Sequence, residues 1–138
     1  TEYMAKQKGI ILKQQVEADT TLLTDPDVLS TILRNLITNA IKYSYPGSEV
    51  VVRGCLPVNG KCYEIKVIDH GVGIPKEAIS GLFNLSNSRS TEGTAREKGS
   101  GMGLVLVKEM VEKLGSLVLV ESVVGQGTTF TVRLPLES

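Results

Sequence analysis

Residues 49–74 run EVVVRGCLPVNGKCYEIKVIDHGVGI. Glu49 to Cys55 and Tyr63 to Ile68 each read as a β-strand, and Asn59-Gly60 between them is a strong hairpin signal. Working outward, Thr24-Asp25-Pro26-Asp27 opens a helix upstream. It offers Thr or Asp as N-cap, proline in the first turn and acidic charge at the positive helix end. The pairs Val28-Leu29, Ile32-Leu33, Leu36-Ile37 and Ala40-Ile41 then recur every four residues, forming one broad buried face, until Tyr45-Pro46-Gly47 ends the helix. Ile10-Ile11-Leu12 with Val16 predicts a first strand, and Leu22-Leu23 a short strand or bridge. Downstream, a short helical turn falls near Lys76–Ser80. Residues 84–100 are rich in Ser, Gly, Thr and charge, the composition of a functional or disordered loop. Gly103 to Leu114 predicts a second helix, with Leu104, Val107, Val111 and Leu114 on one side. Leu117–Glu121 and Thr128–Leu134 close the chain as a hairpin, with Phe130, Val132 and Leu134 alternating inward. Helices mixed with hairpin-linked strands predict an α+β fold, a two-layer sandwich whose mixed, mostly antiparallel sheet is covered on one face by helices, rather than a doubly wound parallel sheet.

Composition narrows the function classes. The chain has 138 residues, enough for one domain with a real core, and its 41% apolar and 22% charged residues are those of an ordinary globular protein. Fifteen basic residues balance fifteen acidic ones, so no global charge draws the chain to nucleic acid or an anionic membrane. Aromatics are only 4%, with no Trp, which weakens any base-stacking role. No apolar run approaches the roughly 18 residues of a membrane span, and no signal peptide opens the chain. Cys55 and Cys62 have neither CxxC spacing nor a nearby His, so metal ligation would need more donors. They read as two small apolar residues in a reducing cytosol, with a cross-strand disulfide as the other option. The chain starts at Thr1 with a polar stretch, so residues 1–9 read as the end of an upstream linker or helix and residues 10–138 as the domain.

Three constellations carry chemistry. Asn35, Asn39 and Lys42 lie at i, i+4 and i+7 on the long helix, one polar stripe beside the apolar face. Two carboxamides and an ammonium in line suit a hydrated Mg²⁺ and phosphate oxygens, although a solvated helix face has the same pattern. Asp69-His70-Gly71-Val72-Gly73-Ile74 follows a strand directly. A carboxylate at a strand end followed by two glycines can approach a flat ligand closely, and it would accept from the exocyclic amine of adenine; a tight turn needing positive φ would use the same glycines. Gly99-Ser100-Gly101-Met102-Gly103-Leu104 opens a helix whose free N–H groups could cradle phosphate. It is not a Walker A loop, because no Gly-Lys-[Ser/Thr] ends it, and no strand precedes it as a Rossmann turn would require.

Taken together, the Asn-rich helix, Asp-x-Gly-x-Gly, a Phe-containing turn, a polar loop, Gly-x-Gly-x-Gly and finally Gly125-Gln126-Gly127-Thr128 resemble the Bergerat-type ATPase/kinase superfamily over roughly residues 10 to 136. Within it, Asn35-Leu36-Ile37-Thr38-Asn39-Ala40-Ile41-Lys42-Tyr43-Ser44 is most similar to the N box of sensor histidine kinases. The resemblance implies ATP and Mg²⁺ as ligands. It implies that Asn39 ligates the Mg²⁺, that Asn35 and Lys42 lie near phosphate, and that Tyr43 lies against the base. It places Asp69 on the adenine amine, with Gly71, Gly73 and Ile74 shaping that pocket, and Thr128 approaching the adenine. Leu82-Phe83 resembles the F box, residues 84–98 the ATP lid, and Gly99, Gly101, Met102, Gly103 and Leu104 the second glycine box.

The gyrase and chaperone branches of that superfamily carry Glu four residues before the metal-binding Asn, where it activates the attacking water. Asn35 stands there in this chain, and an amide cannot act as that base. The resemblance therefore implies transfer to an external acceptor: a histidine on a separate helical dimerisation and phosphoacceptor domain, with a response-regulator receiver domain downstream. His70, the single histidine, sits in the nucleotide loop and not on an exposed helix, so this segment has no catalytic residue beyond its nucleotide ligands. The implied setting is cytoplasmic, in a homodimeric parent whose anchorage in the inner membrane stays open, with the isolated domain monomeric. Three departures stand out: His70 where Asn or Asp is usual, Leu85-Ser86 in place of a second F-box aromatic, and the single glycine of Leu114-Gly115-Ser116. They leave one alternative, a Bergerat-fold interaction module that is catalytically weak or silent. An anti-sigma-type serine kinase would keep the Glu that Asn35 replaces, and a nucleic-acid role has no basic patch behind it.

Overall fold

The computed structural model describes residues 2–16, 25–56, 62–83 and 103–135. Among these, the elements are α1 (Glu2–Lys8), β1 (Ile11–Val16), α2 (Pro26–Tyr43), β2 (Glu49–Cys55), β3 (Cys62–Asp69), α3 (Lys76–Ile79), α4 (Gly103–Lys113), β4 (Leu117–Val123) and β5 (Gly127–Pro135). The expected Leu22-Leu23 bridge, the Asn59-Gly60 turn and the 84–100 loop lie outside the described residues.

The long helix α2 begins and ends for identifiable reasons. Asp25, in extended backbone, accepts from the N–H groups of Asp27 at 2.9 Å and Val28 at 3.3 Å, and Pro26 fills the first position, where no donor is needed. Replacing Asp25 with Ala should lower stability by about 1 kcal/mol. A thermal or denaturant midpoint that does not move would show that the cap is irrelevant. At the other end the orphan carbonyls find donors. The Ser44 hydroxyl donates to Ala40 O at 2.7 Å, and the Lys8 ammonium of α1 donates to Ile41 O at 2.9 Å and Lys42 O at 2.8 Å. A cation at a helix C-terminus also complements the macrodipole, so α1 is docked onto the end of α2 by charge as well as by the buried Ala5.

The sheet order is β1-β2-β3-β5-β4. β1 and β2 pair in parallel and every other pair is antiparallel, as the mixed, mostly antiparallel sandwich requires. Register places Val52, Val67, Phe130 and Val120 side by side across four strands. That inner face meets Ile32, Leu36, Ala40 and Ile41 of α2 and Val107 and Val111 of α4 in one core, with Leu104 and Leu114 packed at its edge. Phe130, Val132 and Leu134 all point inward and are fully buried. Lys13, Arg53 and Arg133 belong to the opposite, exposed face, where Lys13–Glu49 and Arg133–Glu64 ion pairs, each 2.7 Å, are too solvated to contribute much. Cys55 and Cys62 are free thiols, half-buried, and Cys55 lies opposite Glu64 rather than Cys62. No helix among the described residues is long and apolar enough to cross a membrane.

Candidate functional site

One row of the inner face changes character along its length. Leu12, Val50, Asp69, Thr128 and Ser122 are successive partners across all five strands, so an apolar row becomes polar at the strands' end. Asp69 is only 5% exposed, and the terminal position of β3 puts its carboxylate at the mouth of the core rather than in solvent. Its Oδ1 accepts from Gly71 N–H at 2.9 Å and Thr128 N–H at 3.2 Å. No described donor bonds Oδ2, which leaves one carboxylate oxygen as a spare acceptor. Burial pushes the Asp69 carboxyl above its ordinary value. The two backbone N–H bonds and the neighbouring His70 pull the other way without cancelling it.

The loop after Asp69 is held by backbone contact with two other elements. Val72 N–H donates to Tyr43 O at 3.1 Å, and Gly125 N–H donates to Val72 O at 2.9 Å. A Cβ on Gly71 would stand 1.9 Å from Tyr43 O, and one on Gly73, at φ +74°, would stand 2.3 Å from Val123 O. The two glycines are thus demanded by close approach of main chains, to the end of α2 and to the β4–β5 turn, in addition to any positive φ. Ile74 follows half-buried against the core, its N–H donating to the Ser122 hydroxyl at 2.7 Å. His70 is exposed on this loop.

The polar stripe of α2 lies beside this loop. Asn35, Asn39, Lys42 and Tyr43 are half-buried. Asn35 Nδ2 donates to Thr31 O at 2.9 Å, which orients its Oδ1 toward the start of α4, where a Cβ on Gly103 would approach it to 3.4 Å. Lys42 Nζ sits 5.1 Å from the Tyr43 ring centroid, a cation–π contact that places ammonium and aromatic face together. Phe83 meets Phe130 edge-on, ring centroids 6.2 Å apart, so Phe83 is anchored against the core. The structure therefore gathers Tyr43, Asp69, Gly71, Gly73, Ile74 and Thr128 around one loop, and separately sets Asn35 against Gly103. Gly99, Gly101, Met102 and the expected lid fall outside the described residues.

Ser122 escaped the sequence analysis. Its hydroxyl accepts from Ile74 N–H, donates to Gly127 O at 3.0 Å and lies 2.7 Å from Thr128 Oγ1, so it ties the Asp69 loop to the strand carrying Thr128. Its signal was an inward position in alternation with the half-buried Val118 and Val120, where a serine needs partners.

No three His, Cys, Asp or Glu residues cluster among the described residues to cage a metal ion. The donors on offer are the carboxamides of Asn35 and Asn39, which suits Mg²⁺ arriving with phosphate and keeping its waters.

The chain is similar in sequence and fold to several known proteins. The sensor protein BceS of Halalkalibacterium halodurans is 39% identical over 96% of this chain, and the sensor histidine kinase WalK of Bacillus subtilis 32% identical over 96%. The chain spans 38% and 22% of their lengths. Among solved structures, full-length ShkA in complex with AMPPNP superposes with a TM-score of 0.79 at 28% identity, covering 99% of this chain and 27% of that one. The mycobacterial sensor histidine kinase MprB superposes with a TM-score of 0.81 at 26% identity, covering 99% and 89%. Residues 24–138 match the family of histidine kinase-, DNA gyrase B-, and HSP90-like ATPases, and with fold and boxes in agreement this chain belongs to it.

Proposed function

We propose that this domain binds Mg²⁺-ATP and presents its γ-phosphoryl group to a histidine on a separate dimerisation and phosphoacceptor domain of a longer parent chain, within two-component signalling. The observation that carries this is the buried Asp69, with Oδ1 occupied by two backbone donors and Oδ2 left to accept. In a water-poor pocket an acceptor of that kind selects an amine, as adenine offers. Tyr43 and Ile74 would supply apolar walls, and Asn35, Lys42 and the α4 N-terminus would meet the phosphates. Asn39 would hold the Mg²⁺, whose charge neutralises the triphosphate when bound. Gly99, Gly101, Met102 and Leu104 are assigned to the same phosphate site on the resemblance of the sequence.

Transfer rather than hydrolysis follows from Asn35. Its Nδ2 is bonded to Thr31 O, and its Oδ1 cannot take a proton from water, so this position supplies no general base. The acceptor histidine, the receiver domain that takes the phosphoryl group onward and a homodimeric, cytoplasmically disposed kinase core belong to the same proposal. The relatives' greater length and their descriptions, one as a sensor protein and the other as a sensor histidine kinase, support it.

Titration calorimetry of the chain with a non-hydrolysable ATP analogue tests the site. Saturable, Mg²⁺-linked binding supports it, and a folded sample that binds nothing would leave an interaction module. Asn39→Ala should weaken binding mainly when Mg²⁺ is present. Equal loss in excess EDTA would refute a metal role for that residue.

A further inference from the structure

We propose that Ser122 is a positioning residue that fixes the direction of the Thr128 hydroxyl proton and thereby sets preference for an amino-bearing over a keto-bearing purine. This rests on the nucleotide reading of the site. The evidence is the hydrogen-bond arithmetic of one oxygen. Ser122 Oγ has three neighbours: Ile74 N–H at 2.7 Å, Gly127 O at 3.0 Å and Thr128 Oγ1 at 2.7 Å. The amide can only donate and the carbonyl can only accept, and a serine hydroxyl carries a single proton. Gly127 O can only accept, so the 3.0 Å contact needs that proton, whereas the 2.7 Å contact between two hydroxyls can be made from either side. The bond to Thr128 is then satisfied only if Thr128 donates and Ser122 accepts.

With its proton directed at Ser122, the Thr128 hydroxyl can turn only lone pairs toward a ligand. Thr128 is itself buried, at 6% exposure, and adjoins Asp69 in register, its own N–H bonded to Asp69 Oδ1. The pocket wall formed by Asp69 Oδ2 and Thr128 Oγ1 consequently presents two acceptors and no donor. Adenine brings an amine with donors to spare, whereas guanine brings a carbonyl oxygen at the same edge, which would face acceptors only. A Thr128 hydroxyl released from Ser122 could rotate and donate to that oxygen, and discrimination would fall.

The test is calorimetric titration of the chain and of Ser122→Ala with the non-hydrolysable analogues AMP-PNP and GMP-PNP in Mg²⁺. Ser122→Ala should reduce the ratio of adenine to guanine affinity by about three- to tenfold, the scale of one neutral hydrogen bond. Ser122→Thr, which restores a hydroxyl, should recover most of the ratio, and Thr128→Val combined with Ser122→Ala should lose no more than Thr128→Val alone. A purely structural role would lower both affinities together and leave the ratio at its wild-type value, and that result would overturn the proposal. If Ser122→Ala does not fold, Ser122→Cys is read by the same ratio, with the same outcome on either side. Wild-type chain that binds neither analogue would overturn the nucleotide reading and this proposal with it. Binding with an unchanged ratio in the variant overturns only the role of the hydroxyl.

Discussion

Asp69→Asn should cost about 1.5–3 kcal/mol of ATP affinity, roughly ten- to more than a hundredfold, while leaving the nucleotide-free fold at least as stable as the parent. The two halves of that expectation come from different atoms. Asn retains an oxygen that can accept from Gly71 and Thr128 N–H, so the loop stays tied. It replaces the spare Oδ2 with an amide NH₂, which meets the adenine amine donor against donor. The stability half follows from burial, which raises the carboxyl above its ordinary value of 3.8. A group with a raised folded value stabilises fully below the ordinary value and loses that contribution as pH rises through the raised one. Above that window the ionised carboxylate is a burden on the empty fold that an amide does not carry. In thermal melts without nucleotide, the Asn variant should therefore gain on the parent as pH climbs from about the ordinary carboxylate value, then run parallel to it. Calorimetry checks the other half. Undiminished ATP affinity would remove Asp69 from the adenine site, and a parent that gains on the variant with rising pH would contradict the burial argument.

Gly71→Ala should be strongly damaging through close contact alone, because Gly71 has no positive φ. The added methyl would stand 1.9 Å from Tyr43 O and 2.7 Å from Tyr43 C, both backbone atoms of the last turn of α2, which is locked below by Ser44 and Lys8. Neither partner can yield by rotating a side chain. The loop must move off the helix, breaking the 3.1 Å bond from Val72 N–H to Tyr43 O. Overpacking of this kind costs about 1–3 kcal/mol, and the broken backbone bond adds about 1 kcal/mol. Because the same movement displaces Asp69 Oδ2 relative to Tyr43, ATP affinity should fall with stability. Gly115→Ala is the control. Gly115 also resists side chains through its φ of +69°, but a Cβ there meets nothing within 4 Å, so only about 1–2 kcal/mol of backbone strain is expected and no loss of binding. Since Gly71 has no positive φ, destabilisation by Gly71→Ala no greater than that of Gly115→Ala, with ATP binding intact, would refute the helix–loop contact as the reason for the glycine.

Much of the architecture was legible in the residues because its causes are local. The N-cap and proline at Asp25-Pro26 announce α2, the four-residue recurrence of apolar pairs announces its buried face, and Phe130, Val132 and Leu134 announce which side of β5 is core. Strand limits shifted by a residue or two, with β4 reaching Val123 and not ending at Glu121, because pairing with β5 and not composition decides where a ladder stops. The parallel pairing of β1 with β2 was not announced at all. It depends on α2 crossing between them, a contact between segments distant in sequence.

The site divides in the same way. Sequence by itself determined the residue types and their order: an amide where a general base would stand, a carboxylate at a strand end, glycines after it, and a threonine closing the last box. Those are chemical properties carried by single side chains and short spacings. Only the tertiary structure decided that Gly71 is required by Tyr43 O, that one oxygen of Asp69 is occupied while no described donor bonds the other, and that Ser122 lies against the hydroxyl of Thr128. The first two join elements that the chain separates widely, and the third joins facing positions of the β4–β5 hairpin. Contact distance and hydrogen-bond direction between them exist only once the sheet has set its register.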